Sequence, residues 1–171
     1  MKAEYLLVDG YNIIFTWSKL KKLADVSLEQ ARDKLIDILD EYQGIKKMCV
    51  IIVFDAHLVK GNVGSIYKYS DDVYVVYTKE AETADNYIER TTETMKENYD
   101  ITVATSDGLE QIIIMSKGAR RISANDLLDD VKRSKKYIRE QIQSYKPIKN
   151  NMLIKNLDKE TAEWMEKMRR Q

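Results

Sequence analysis

Four aspartates stand where an apolar run gives out or a helical pattern begins: Asp9 after YLLV, Asp55 after VIIVF, Asp85 within ETADNYIE and Asp107 after ITVATS. In a parallel α/β sheet the carboxyl ends of the strands open onto one crevice, so carboxylates sent there from separate segments converge. Carboxylates so placed repel one another, and a hard divalent cation with oxygen ligands, Mg²⁺ or Mn²⁺, relieves the repulsion. Such an ion activates water and neutralises charge building on a phosphate, and a second would stabilise the leaving oxygen. The chain offers no Cys or Ser-His pairing for covalent catalysis, so a hydrolysis would use water. The expectation is a metal-dependent enzyme acting on phosphates, with one or two ions.

Each acid also has a structural reading. Asp85 could simply stabilise the first turn of a helix, and Asp107, before Gly108 and a helical run, could be an N-cap. Asp9-Gly10 could be a turn, but the following elements do not form a hairpin. No G-x-x-x-x-G-K-[ST] loop is present, which argues against ATP chemistry, and no G-x-G-x-x-G follows the first strand, so no nucleotide cofactor is expected.

The elements that must position these residues alternate. Residues 4–8 read as a buried strand, and 27–43 as a helix with Leu28, Ala31, Leu35, Ile38, Leu39 and Tyr42 on one face. Ser27 and Gln30 form a capping-box pattern at its start, with Gly44 as its expected stop. Residues 48–54 are too continuously apolar to be half solvated, as expected when helices cover both faces of a sheet. Further strands are expected at 72–78, 101–105 and 119–123. Helices are expected at Thr83–Glu97, with Ala84, Tyr87, Ile88, Thr91 and Met95 inward, at 109–117 and at 124–144, the last ended by Pro147. This order is that of a Rossmann-like, three-layer α/β fold with a parallel sheet of about five strands. Residues 57–71 show neither period and read as a long loop. A domain over 1–146 would be followed by a basic extension, 147–171, with a short amphipathic helix around Trp164, Met165 and Met168.

At 171 residues and 44% hydrophobic, the chain has room for one core of ordinary size. Its single Cys49, in a strand expected to be buried, permits no internal disulfide and suggests a reducing, cytoplasmic setting. No run approaches the ~18 apolar residues of a membrane span, and the N-terminus enters a strand rather than an export signal, so no membrane association is expected. Net charge is zero but uneven: residues 1–116 carry 13 Lys and Arg against 20 acids, while 117–171 carry 15 against 8. An acidic half beside a basic one suits a polyanion-processing protein, although Lys132, Arg133, Lys135, Lys136 and Arg139 could equally be the solvated side of one helix.

The run DGYNIIF at the end of the first strand, followed by FDA at 54–56, ETAD at 82–85 and TSD at 105–107, resembles the NYN domain of the PIN-like nuclease superfamily, and within it the YacP-like group of bacterial ribonucleases. The resemblance covers about residues 3–145. It implies a PIN-like fold and metal-dependent endonucleolytic cleavage of mRNA, with a ribosome-associated endoribonuclease as nearest relative. Carried over by motif, Asp9, Asp85 and Asp107 match the metal-binding acids and Asn12 the residue that orients the first acid or a water. Asp55 and Glu82 match further acidic positions.

RNA must also be held, by rings that stack bases and cations that follow the backbone. Tyr11 at the crevice, and Lys60, Tyr67, Lys68 and Tyr69 in the expected loop, have that composition, and Arg120 and Arg121 begin the basic half. His57 reads as an exposed loop residue. The alternative function is a catalytically silent RNA- or ribosome-binding module with a PIN-like fold. An intact set of mutually repelling acids favours the enzyme. A small-substrate phosphatase would want D-x-D after the first strand, where this chain has Asp-Gly-Tyr.

Overall fold

A strand that is apolar on both faces is stable only with helices above and below it. The computed structural model describes residues 1–59, 64–145, 163, 167 and 168. It places the strand carrying Asp9, β1 (Glu4–Asp9), inside a six-stranded sheet. There follow α1 (Gly10–Thr16), α2 (Ser18–Val26), α3 (Leu28–Lys46), β2 (Cys49–Phe54), a 3-10 turn (Ala56–Leu58), β3 (Ser65–Ser70) and β4 (Val73–Tyr77). Then come α4 (Ala84–Met95), β5 (Asp100–Ala104), α5 (Gly108–Ser116), β6 (Arg120–Ile122) and α6 (Ala124–Ser144). The sheet order is β3-β4-β2-β1-β5-β6, parallel throughout except where edge strand β3 runs against β4. The chain divides into two units, Met1–Lys135 and Lys136–Gln171. The sheet belongs to the first.

The pleat of β1 divides the core. Leu6 and Val8 join the cluster under α1, α2, α3 and the first turns of α6, while Leu7 joins a second cluster with Ala84 and Ile88 of α4 and Ile114 of α5. β1 pairs with β2 on one side and β5 on the other, so the carboxyl ends that release Asp9, Asp55 and Asp107 are neighbours. This is the three-layer arrangement expected from the sequence.

Three local expectations are corrected. Part of the supposed loop 57–71 is β3, an edge strand so exposed, with an irregular register between Lys68 and Ser70, that no inward face is written into it. The sheet therefore has six strands rather than about five. Gly44 does not stop α3, which runs on to Lys46 and ends with Lys47 in the left-handed region at φ 57°. Two helices over 10–26 had no counterpart in the sequence reading. Both are short, and Trp17, in extended conformation, interrupts them as cap of one and start of the other, breaking the period. Its indole Nε1 donates to the Ala124 carbonyl at 2.7 Å, tying this corner to α6. Ser27 does cap α3, accepting from Gln30 N at 3.3 Å. Cys49 is half-buried, and burial pushes its thiol up to about 11, which suits an inert residue. Among the described residues no helix is long and apolar enough to cross a membrane. In the second unit, Glu163, Lys167 and Met168 are helical and exposed, while Pro147, Trp164 and Met165 fall outside the described residues.

Gly10 is where β1 turns into α1 against the core. A Cβ there would lie 2.3 Å from Cε1 of Phe54, a ring that is 0% exposed. Gly10→Ala is therefore expected to cost roughly 1–3 kcal/mol or more, as overpacking does in a filled core. Urea denaturation measures this, and an unchanged midpoint would mean that Phe54 yields freely.

Candidate functional site

Asp9 ends β1 and caps α1: its Oδ1 accepts from the backbone N–H of Asn12 at 3.3 Å. The side chain is withdrawn from water, with the residue only 9% exposed. Burial pushes its pKa up to about 6, the Asn12 N–H pulls against that, and the charges of Asp85, Asp55 and Asp107 add to the rise.

Two further carboxyls meet it. Asp85, in the first turn of α4, and Glu110, in the first turn of α5, each offer an oxygen within 4.8 Å of one another and of an Asp9 oxygen. Glu110 is 5% exposed, and neither oxygen has a hydrogen-bond partner among the described residues. Burial raises its pKa to about 8. The Thr105 hydroxyl, though outside hydrogen-bond geometry, tempers the rise, and Asp85, Asp9 and Asp107 reinforce it. Asp85 is also raised, by desolvation first and then by Asp107 and Asp55, with the Glu110 side chain relieving it in part. A cleft of about 260 Å³ opens onto Asp85, Asp107 and Glu110.

Glu110 was missed in the sequence. Asp107-Gly-Leu-Glu110 has the spacing of an N-terminal capping pattern, in which the glutamate merely turns back on the cap. The available signal was that this acid interrupts an apolar helix one turn beyond Asp107, on the side that must face the sheet.

The remaining expected residues take distinct places. Asp107 caps α5, its Oδ1 accepting from Leu109 N at 2.9 Å and Glu110 N at 3.4 Å, and its charge is felt by all three clustered acids. It flanks the cluster on the β5 side. Asp55 flanks it on the β2 side, capping the 3-10 turn with His57 Nδ1 2.5 Å from its Oδ1. Among the described residues the Asn12 side-chain amide makes no hydrogen bond to Asp9; its Oδ1 accepts from Ser106 N at 2.7 Å, which locks α1 to the loop carrying Asp107. Glu82 precedes α4 and is held by Arg90 at 2.5 Å, outside the cluster.

The residues expected to hold RNA differ in exposure: Tyr11 is buried, while Tyr67, Lys68, Tyr69, Arg120 and Arg121 are exposed. Tyr11 is 6% exposed, packed on Phe54 and accepting from Arg32 Nη1 at 3.0 Å. Tyr67 stacks on Tyr77 of β4, and Tyr69 donates to Asp37 of α3 at 2.7 Å. Lys68 lies 3.4 Å from Asp71. Arg120 faces Glu4 at 3.6 Å, and Arg121 donates to Gln111 Oε1. Lys132, Arg133 and Lys135 each have an acid within 4.0 Å, which mutes this part of the basic face. Lys60 lies outside the described residues.

Residues 6–170 match the YacP-like NYN domain. YacP of Bacillus subtilis (strain 168) is 42% identical over 165 residues, covering 94% of this chain and 96% of the relative. The crystal structure of Rae1 (YacP) from Bacillus subtilis superposes with a TM-score of 0.70 at 41% identity, covering 99% of this chain and 95% of that one. A W164L mutant of the same protein matches with a TM-score of 0.70 at 38% identity, over 96% and 99% of the two chains. Matched along nearly its whole length in both sequence and fold, this chain belongs to the YacP-like NYN domain family.

Proposed function

We propose that the protein is a cytoplasmic, metal-dependent endoribonuclease that cleaves mRNA by attack of water on the phosphodiester, in association with the ribosome. The observation that carries the metal dependence is Glu110: a carboxyl 5% exposed, with both oxygens unpartnered among the described residues, within 4.8 Å of Asp9 and Asp85. A buried polar group left unsatisfied is costly. Three carboxyls at that spacing form an all-oxygen donor set that fits Mg²⁺ or Mn²⁺. A silent RNA-binding module has no use for it.

Asp9, Asp85 and Glu110 would hold the ion or ions, and Asp55 and Asp107, at the rim, would extend the set. When bound, such a cation supplies neutralisation of the charge that develops on the phosphate and activation of water. The chain's own residues supply placement. The Asn12 amide holds the β5–α5 connection through Ser106, and the cap made by Asp107 fixes the first turn of α5, from which Glu110 projects. RNA and the ribosome as partners rest on family membership and on the excess of cations in residues 117–171.

The test is incubation of the purified protein with Mn²⁺ or Mg²⁺ and a long mRNA, presented free and on translating ribosomes, with product ends mapped. Internal cuts that vanish with chelator are expected. Absence of cleavage with either ion, in both presentations, would reject the nuclease reading. Cleavage of free RNA at the same rate as ribosome-bound message would reject the ribosome requirement alone.

A further inference from the structure

A second cavity, of about 460 Å³, opens at the same carboxyl end of the sheet, between the β3–β4 edge and α4. It falls in the roughly 300–1,000 Å³ range of pockets that enclose a small ligand. Ile66 and Val76, paired across the two strands, line it, and Val76 belongs to the core layer under α4. Its other walls are Tyr87 and Arg90 of α4, Glu82 and Lys79. Only Asn86 separates Tyr87 from Asp85, so the helix that presents Asp85 to the acid cluster presents Tyr87 here.

The composition selects a ligand class. The Arg90 guanidinium lies over the Tyr87 ring, 5.2 Å from its centroid, and Glu82 fixes it there at 2.5 Å. A guanidinium held over a ring offers a cationic surface on which a planar, polarisable group can stack. Lys79 is exposed and forms no ion pair among the described residues, in contrast to the paired cations of β6 and the start of α6. Apolar strand residues on one wall, a stacking surface on another and the exposed cation of Lys79 suit an unpaired nucleobase with its phosphate. A lone phosphate would gain nothing from Ile66 and Val76 or from the stacking wall.

We propose that this pocket is a nucleotide subsite for single-stranded RNA, with the base on the Tyr87–Arg90 platform and the backbone phosphate on Lys79. It rests on the nuclease reading for its substrate class, and it adds a stacking element to Tyr67 and Tyr69. A strand lying along the carboxyl edge of the sheet would put this nucleotide to one side of the phosphate at Asp9, Asp85 and Glu110.

Binding measured without catalysis tests it. A short fluorescein-labelled single-stranded RNA is titrated in EDTA with wild type, with a Lys79→Ala/Arg90→Ala variant, and with a Lys19→Ala/Lys34→Ala variant that removes equal charge from the other helix layer. Melting temperatures check that each variant is folded. Loss of affinity by roughly tenfold or more in the first variant only is expected, the scale of one stacked base with its phosphate contact. A 4-thiouridine version should cross-link to the peptide containing Tyr87. Equal losses in both variants would reduce the effect to general electrostatics and overturn the subsite. No loss in the first, no binding by wild type, or cross-links confined to other peptides would overturn it as well. The two readings fail separately: binding at Tyr87 without cleavage in any divalent ion rejects the nuclease and keeps the subsite, whereas cleavage with unimpaired binding by the Lys79→Ala/Arg90→Ala variant does the reverse.

Discussion

Asp9→Asn is expected to lower cleavage by on the order of a hundredfold to a thousandfold, the scale of losing one preorganised electrostatic group at a reacting phosphate. The melting temperature of the metal-free protein is expected to rise. Both effects have one cause. Asp9 is buried among Asp85, Asp55 and Asp107, so its charge costs stability in the absence of a cation and gives affinity in its presence. The amide keeps the size of the side chain and can still accept the Asn12 N–H through its oxygen, so α1 retains its cap. Asp85→Asn and Glu110→Gln should match it in activity. Asp107→Asn should lose less, because asparagine caps as well as aspartate and the residue lies at the rim, and Asp55→Asn less again. Glu82→Gln should leave metal binding untouched. Cleavage rates at saturating Mn²⁺, with calorimetric Mn²⁺ titrations, measure the series. Full activity of Asp9→Asn would remove Asp9 from the site.

That ranking was partly legible in the sequence. An acid after an apolar strand is visible because period and composition change together, so Asp9 and Asp107 could be named, and the parallel order of the elements implied that their strands were neighbours. Glu110 could not be ranked in that way. Its spacing from Asp107 is that of a helix cap, and only the packing of α5 against the sheet shows that its oxygens face inward with no partner among the described residues. The aromatic residues show a different limit, since Tyr11 is buried while Tyr67 and Tyr69 keep 41% and 45% of their surface exposed. Tyr11, Tyr67 and Tyr69 have the composition of a base-stacking surface, but tertiary contacts commit them: Tyr11 to Phe54 and Arg32, Tyr67 to Tyr77, and Tyr69 to Asp37. Composition gives what a side chain could do, while the edge-strand register decides which face it serves. β3 itself was invisible because an exposed edge strand need not alternate.

Without a divalent ion, the protein is expected to lose stability as pH rises from about 5 to 8, the reverse of a protein whose carboxylates are mostly paired. Asp9 binds its proton up to about pH 6 in the fold against an ordinary 3.8, and Glu110 up to about 8 against 4.5. Through that window the native state holds more protons than the unfolded chain, so the slope of unfolding free energy with pH is negative. The stability these groups provide is complete below their unfolded pKa values and is lost as pH passes the folded ones, for a total on the order of a few kcal/mol. Asp130, lowered by Lys46 and Tyr42 despite partial burial, contributes in the opposite direction at lower pH, so the decisive quantity is the difference between wild type and Glu110→Gln. The variant keeps a buried polar group that can donate to Asp9 and Asp85 yet never ionises, and its decline across pH 6–8 should be much shallower. A cation that binds only the ionised cluster reverses the trend, because its affinity grows as protons leave. Mn²⁺ should therefore raise the melting temperature strongly at pH 8 and hardly at pH 5. Thermal melts at several pH values in EDTA and in Mn²⁺ read both effects, and identical pH profiles for wild type and Glu110→Gln would mean that Glu110 is not the buried acid of this site.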